Sequence, residues 1–412
     1  MSSFANILSE VLIFISLYFE VFLFVSFFEK KEEEYSLDSI DENTLPTVTI
    51  TVPVFNEETT VSKTIDTLLA LDYPKNKLKI FVVDDGSKDN TWNNIQKYKG
   101  HPQIEIFQKE NGGKYTVLNF GISRATSDII GCLDADSFVP PDTLKKIAIY
   151  FRDAKTMAVI PSVKIHNPNS ILRHIQSVEY DMGVFSKKVQ DKLGAISITP
   201  GPFSFFRREV FEKIGPFKHA HNTEDMEIAM RMQKHHMKIK NAHDALVYTV
   251  GPNSIMKLHT QRVRWIYGNI RNLFDYREII LKKEYSHLGM FFMPMSIFAL
   301  LTCTYYALRL IYEVLHFAFI KIIEISFAGI QFGQTNFHID LFSFDTSAFT
   351  IMAIMLFVIT ILIIMYGRYL SENKIRFNWQ IIYFLSLYPF ISLFWILKSF
   401  FNIIFSRKTY WR

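Results

Sequence analysis

The sequence predicts an α/β domain with a mostly parallel sheet, held in a membrane by transmembrane α-helices on both flanks. Three observations carry this. Short apolar, β-branched runs alternate with helix-like stretches between residues 48 and 150. Apolar runs long enough to cross a bilayer stand before and after that region. The composition also leans toward lipid, with 39 Phe, 19 Tyr and 5 Trp giving an aromatic share of 15% beside only 21% charged residues.

The first element is residues 11–28, VLIFISLYFEVFLFVSFF, in which Glu20 is the single charge. A signal peptide needs a basic start and a small-residue cleavage site, and MSSFANILSE has neither, so residues 1–30 read as a retained anchor. Lys30 and Lys31 follow the span and nothing basic precedes it, which puts the next segment in the cytoplasm.

Strands are predicted at 48–55 (VTITVPVF), 78–85 (LKIFVVDD), 104–107 (IEIF) and 128–136 (DIIGCLDAD), on their β-branched and aromatic bias. Helical spacing separates them at 57–71, 89–98, 114–123 and 142–150. Three of these strands end in polar groups: Asn56-Glu57, Asp84-Asp85-Gly86 and Asp134-Ala135-Asp136. One acidic tip is an ordinary turn. Three converging on the carboxyl edge of a sheet, where ligands of such folds gather, form a candidate site.

Beyond this domain, set at 45–257, residues 258–287 read as a basic amphipathic segment and 288–412 as a membrane region. Charge-free spans are expected at 288–308, 348–366 and 381–397. Residues 310–330 are apolar but carry Glu313, His316, Lys321 and Glu324, so they read as interfacial or bundle-facing, with a fourth span left open. Basic residues in both 367–376 and 405–412 leave the side of the C-terminus open. A net charge of +5 without basic blocks interleaved with aromatics argues against nucleic acid. Two cysteines, Cys132 and Cys303, imply no disulfide framework.

Each motif has a plain and a chemical reading. Asp134 and Asp136 either close a turn or offer oxygen ligands to a hard divalent cation. In VVDDGSKDN, Asp89 can simply cap a helix. The Gly pair before Lys114 in ENGGKYTVLN suits an anion, though not with P-loop spacing. In NTEDMEIAMRM, Thr223 reads as a helix cap with Glu224 and Asp225 in the first turn; alternatively Asp225 is a base whose pKa the helix dipole keeps low. Gln261, Arg264 and Trp265 in LHTQRVRWIYGNIRNLF share one helical face, with Arg suited to phosphate and Trp to a sugar ring. Arg262, Arg271 and Arg277, with Tyr267, Phe274 and Tyr276, read as a membrane-surface face of that helix.

Taken in order, VPVFNE, VVDDGS, DAD, TED and QRVRW resemble the processive family 2 glycosyltransferases, membrane-embedded synthases of cellulose, chitin, hyaluronan and poly-N-acetylglucosamine. The resemblance covers residues 48 to about 275 and the flanking spans, and five motifs in series are specific where one is not. The N-terminal span, the NGGK stretch and the length are most similar to the branch that makes β-1,6-linked poly-N-acetylglucosamine.

The resemblance implies a GT-A (Rossmann-like) fold with a cytoplasmic catalytic domain, in a multi-pass protein of the bacterial cell membrane. It further implies UDP-N-acetylglucosamine as donor, a growing polysaccharide as acceptor, Mg2+ or Mn2+ as cofactor, and a small membrane accessory subunit. Pro53, Phe55, Glu57, Asp84 and Asp85 match nucleotide-binding positions. Phe55 is able to stack on uracil, although several relatives have Tyr there. Lys114 should lie against the diphosphate, and Asp134 and Asp136 should hold the cation beneath it. Asp225 matches the catalytic base, with Asp136 beside it in the reacting set. Gln261 and Arg264 would cover the diphosphate, and Trp265 would support the acceptor sugar. TPGPFSFFR (199–207) lies where relatives carry an acceptor loop, which assigns Gly201 and Ser204, together with Glu224, to the acceptor side. The acids of the separate motifs are then expected to meet around one ion. Rival readings are a synthase of another β-linked polymer, a transferase to a lipid carrier, and a transporter or inactive scaffold.

Overall fold

A computed structural model describes residues 2–29, 41–329, 347–372, 374–375 and 377–405. Lys30 and Lys31, and the basic residues after 405, lie outside the described residues. The chain opens with helix α1 (Ser2–Glu29). The α/β region follows as β1 (Val48–Val54), α2 (Val61–Leu69), β2 (Leu78–Asp84), α3 (Thr91–Gln96), β3 (Ile104–Gln108), α4 (Lys114–Arg124), β4 (Ile129–Cys132), β5 (Ser137–Phe138) and α5 (Thr143–Ala148). Then come β6 (Thr156–Ile165), α6 (Ile171–Lys192), β7 (Phe205–Arg207), α7 (Arg208–Ile214), α8 (Glu224–Lys234), β8 (Lys238–Thr249) and α9 (Ile255–Asp275). Three long helices close the chain: α10 (Met293–Ala328), α11 (Ala348–Glu372) and α12 (Trp379–Ile404).

The eight strands form one mixed, mostly parallel sheet in the order β3-β2-β1-β4-β7-β6-β8-β5. β1 is parallel to both β2 and β4, and β2 to β3, while β7 runs antiparallel between β4 and β6. Because successive strand side chains point to opposite faces, Ile80 and Val82 pack with α2 and α5, whereas Phe81 and Val83 pack with α4 and α8. Burial on both faces explains why the central strands read as continuous apolar runs. The DAD acids are the exception to the expected strand. β4 stops at Cys132, and Leu133 N donates to Thr51 O at 3.1 Å, so Asp134 and Asp136 sit in the turn that follows.

The second half of the domain rests on α6, which packs against β6 and β8 on one side and α1, α11 and α12 on the other. Its start is set by Ser170, whose hydroxyl accepts from Arg173 N at 3.3 Å. Asp181 on α6 joins Lys164 of β6 at 3.1 Å and Arg368 of α11 at 2.7 Å. Beside it, a Cβ on Gly367 would overlap the Asp181 carbonyl, so only glycine lets α11 come this close.

Among the described residues, four helices are long and apolar enough to cross a membrane: Phe4–Glu29, Leu288–Phe327, Ala348–Glu372 and Trp379–Ile404. Glu20, the charge within the first, accepts a hydrogen bond from Thr360 of α11 at 3.0 Å. Residues 310–328 do not form a separate segment, and the side chains of residues 310–327 do not face the helix bundle. They continue α10, with the side chains of residues 310–327 exposed, and no Gly or Pro interrupts the helix before Gly329. The charges expected to set this stretch apart pair along its own surface: Arg309 with Glu313 at 3.8 Å and Lys321 with Glu324 at 2.5 Å. At 36 residues, or about 54 Å, α10 exceeds the ~30 Å hydrocarbon core.

Candidate active site

The loops after β1 and β2 are joined by side chains from both. Asn56, in a left-handed conformation at φ 53°, donates its N–H to Ser87 Oγ at 2.9 Å and accepts from Lys88 N at 2.9 Å. Glu57 N donates to Thr91 Oγ1 at 2.8 Å, and the Glu57 carboxylate accepts from Thr60 Oγ1 at 2.9 Å. Pro53 and Phe55 are half-buried at this edge, leaving part of the Phe55 ring open.

Asp84 and Asp85 are buried and bound by protein groups. Asp84 accepts from Ser87 N at 3.2 Å and Gln108 Nε2 at 3.0 Å. Asp85 accepts from Lys109 Nζ at 2.6 Å and from Gly112 N and Gly113 N at 3.1 and 2.9 Å. The glycine amides that suited an external anion are therefore turned onto an internal one. Gly113, at φ 87°, makes the turn that starts α4 and aims Lys114.

Lys114 forms an ion pair with Asp134. Burial works against its charge, but the Asp134 and Glu224 carboxylates more than offset this and hold its pKa above that of an ordinary lysine. Gly201 lies against the pair. A Cβ there would overlap the Lys114 ammonium and stand 3.0 Å from Asp134 Oδ2. Its loop is tightly determined: Cys132 Sγ meets Gly201 O at 2.9 Å, Ser204 Oγ donates to Pro200 O at 2.5 Å, and Phe203 N donates to Cys132 O at 2.7 Å. Phe203 holds a left-handed φ of 65°, a strain that a bulky residue keeps only in such a setting.

The same loop reaches the TED motif, where Thr199 donates both its N–H and its hydroxyl to Asp225 O, at 3.0 and 2.8 Å. Thr223 does not cap α8 with its side chain as expected. Its hydroxyl donates to Ala220 O at 2.9 Å and accepts from Asn272 Nδ2 at 2.9 Å. The expectation for Asp225 is also reversed. Burial raises the pKa of both Asp225 and Glu224, against the pull of Lys114 and Arg264, so desolvation outweighs the helix dipole.

Gln261, Arg264 and Trp265 lie half-buried on one face of α9, as their spacing requires. Arg264 Nη1 donates to Asn222 O at 2.9 Å, just before the TED acids. One turn on, a Cβ on Gly268 would overlap the Thr223 side chain, so Gly268 and Asn272 seat α9 against the start of α8. The membrane-surface reading of this helix fails for half of its residues. Arg277 and Phe274 are exposed, but Arg262, Tyr267 and Tyr276 are buried, Tyr276 donating to Glu227 at 2.6 Å. The reason is that charged partners from distant elements wait in the interior.

Asp136 accepts from Ser137 Oγ at 3.3 Å and Thr249 Oγ1 at 3.5 Å. Among the described residues, no group of three or more His, Cys, Asp or Glu is placed to hold a metal by itself. The expected meeting of Asp84, Asp136 and Asp225 around one ion is thus not what the fold builds, since Asp84 is committed to its own loop. Asp134 and Asp136 remain as a two-carboxylate set, which fits a hard cation that keeps positions for water and phosphate oxygens.

Two residues not singled out in the sequence lie within electrostatic reach of these acids. α6 brings in Tyr180 and Lys187, one face apart by seven residues, with Gly183 between them facing open space. Burial lowers the Lys187 pKa to about 8, with Asp225 opposing. It raises that of Tyr180 to about 12. Helical spacing of Tyr180 and Lys187 was the only signal available for them.

Residues 49–215 match the family model "Glycosyl transferase family 2". The chain is similar to a poly-beta-1,6-N-acetyl-D-glucosamine synthase of Staphylococcus epidermidis, 27% identical over 392 residues that cover 94% of this chain and 90% of the relative. It is also similar to the protein of that name from Staphylococcus aureus strain COL, 32% identical over 289 residues, 69% of this chain and 68% of the relative. In structure it resembles a mannosyltransferase from Pyrobaculum calidifontis in complex with GDP-Man and Mn2+, with a TM-score of 0.62 at 17% identity, covering 97% and 99% of the two chains. That likeness confirms the GT-A fold. The chain is a glycosyltransferase and belongs to glycosyl transferase family 2.

Proposed function

We propose that this chain is a membrane-embedded, processive, inverting glycosyltransferase. It polymerises N-acetylglucosamine from UDP-N-acetylglucosamine into a β-1,6-linked exopolysaccharide on the cytoplasmic side of a bacterial cell membrane and helps to export it. The observation that carries this reading is the continuous path from Lys114–Asp134 through Gly201 and Thr199 to Asp225, which sets an anion-binding cation and a base on either side of one loop. The names of the staphylococcal relatives supply the sugar and the linkage. The growing polysaccharide, the bilayer and a small accessory membrane subunit are its partners in this reading.

The step is one in-line displacement. An acceptor hydroxyl oxygen forms the new bond to the donor's anomeric carbon, the bond from that carbon to the diphosphate breaks with its electron pair, and UDP leaves. The hydroxyl proton passes to Asp225, whose raised pKa makes it a better base than an exposed aspartate. Lys114, Arg264 and Gln261 face the diphosphate as charge builds on it. Phe55 stacks on the base, with Pro53, Glu57, Asp84 and Asp85 shaping the nucleotide pocket behind it. Trp265, Gly201, Ser204 and Glu224 border the acceptor. A Mg2+ or Mn2+ ion held by Asp134 and Asp136 supplies further charge stabilisation when bound.

Purified full-length protein in lipid nanodiscs, given a panel of UDP-sugars with Mg2+ or Mn2+, is expected to release UDP only with UDP-N-acetylglucosamine. Its product is expected to be cut by a β-1,6-specific and not a β-1,4-specific glycosidase. A product of the opposite sensitivity overturns the linkage, and single-sugar transfer to lipid overturns processivity. Gly201→Ala separates the donor geometry from the carboxylates. Because the added methyl takes the space that the Lys114 ammonium occupies, it keeps that cation from the diphosphate, and UDP affinity in the absence of metal should fall about tenfold, the loss of one charge-assisted contact; calorimetric titration reads this directly.

A further inference from the structure

Arg262 carries a buried charge that the transfer step does not use. It is 3% exposed, a costly place for a guanidinium unless it is paired. Its Nη1 donates to Gln261 Oε1 at 2.7 Å, its Nη2 donates to Glu179 of α6 at 2.6 Å, and its guanidinium carbon lies 4.1 Å from the centre of the Trp265 ring. The second Glu179 oxygen accepts from the Tyr388 hydroxyl of α12 at 3.1 Å. Tyr388 is fixed in turn by Phe384 and Trp395, at ring separations of 4.6 and 5.8 Å, and it immediately precedes Pro389. That proline removes one rung of the α12 hydrogen-bond ladder. A second polar contact, Ser399 Oγ to Val263 O at 3.3 Å, ties α12 to α9 farther along.

We propose that Glu179 and Tyr388 are positioning residues for the acceptor sugar, acting on Trp265 through Arg262. The inference rests on the reading of Trp265 as the acceptor platform. One face of the indole lies on the guanidinium, where cation–π attraction holds it, and the other is left for a sugar ring. Glu179 neutralises Arg262 and fixes its plane, since a carboxylate matches a guanidinium with directional hydrogen bonds. Tyr388 fixes Glu179 from a helix long enough to cross the membrane. The surface that grips the polymer end is thereby referenced to α12 rather than to the catalytic sheet alone. Neither Glu179 nor Tyr388 touches donor or acceptor.

The test uses full-length protein in nanodiscs, with its sugar donor and a soluble β-1,6-linked N-acetylglucosamine oligosaccharide as acceptor. Glu179→Gln keeps shape and loses the charge; Tyr388→Phe keeps the ring packing and loses only the hydroxyl. Glu179→Gln should raise the acceptor KM about tenfold and Tyr388→Phe about threefold, with donor KM and kcat within about twofold and a shorter mean product. The double variant should be no worse than Glu179→Gln alone, because both act on one chain of contacts. Unchanged acceptor KM in both variants overturns the proposal, as does a donor KM that rises in step with it, the mark of general damage to the fold. Should the wild type use a different sugar, the sugar assignment falls, and the same ratios are read with that donor and its matching oligosaccharide.

Discussion

Asp225→Asn is expected to slow sugar transfer by about 10³-fold, the scale of a removed general base, while UDP affinity stays within about twofold of wild type. Asn has the same shape, and its Oδ1 can still accept from Met226 N, as Asp225 Oδ1 does at 2.9 Å. The two Thr199 contacts go to the backbone carbonyl of Asp225 and survive the change. What is lost is the ability to take a proton from the acceptor hydroxyl. The pH profile provides a second check. Burial raises the Asp225 pKa above that of an ordinary aspartate, and the base must be ionised to act. The rate therefore falls as pH drops through the raised pKa, and this acid limb begins at higher pH than for an exposed aspartate. In Asp225→Asn the residual rate should lack that limb. UDP release at saturating donor across pH measures both quantities; a variant keeping more than about a tenth of the rate would pass the role to Glu224, which burial also pushes up.

The parts of this site that the sequence made legible are those decided locally. A period of two in LKIFVVD sends Phe81 and Val83 to one face and Ile80 and Val82 to the other. A spacing of three and four sets Gln261, Arg264 and Trp265 together. What escaped was decided by partners far along the chain. Arg262 reads as one more surface cation until Glu179, 83 positions away, is placed beside it. The amides of Gly112 and Gly113 suit a ligand until Asp85, 27 and 28 positions away, takes them. Within residues 156–192, Pro161 and Lys164 interrupt the apolar run of the strand, while Glu179, Asp181, Lys188 and Asp191 give the helix the look of a solvated face. In the fold, Lys164 and Asp181 lie buried together with Arg368 of α11, so their charges join the membrane helices to the sheet rather than mark a surface. The 310–328 stretch is different: its Lys321–Glu324 spacing was readable as a single continuing helix.

The separate parts of the donor site predict a second large effect, for Asp134→Ala. This change removes one of the two carboxylates available to a cation and at the same time releases Lys114, which Asp134 now holds. The two consequences oppose each other. Without a divalent ion, UDP affinity should stay within about threefold of wild type, because a freed ammonium can turn to the diphosphate as a point charge. With Mn2+ or Mg2+ the gain in affinity seen in wild type, on the order of 100-fold for a cation bridging carboxylates and phosphates, should disappear. Polymer synthesis should fall at least as far as in Asp225→Asn, but for a different reason, since Asp225→Asn keeps the metal-dependent gain. Gly201→Ala should do the converse, weakening metal-free binding while leaving the carboxylates to add their increment. Titrations of UDP with and without Mn2+ on the three variants distinguish these cases. If Asp134→Ala keeps the full metal-dependent gain, the cation does not rest on the acids after β4, and Lys114–Asp134 is only an internal ion pair.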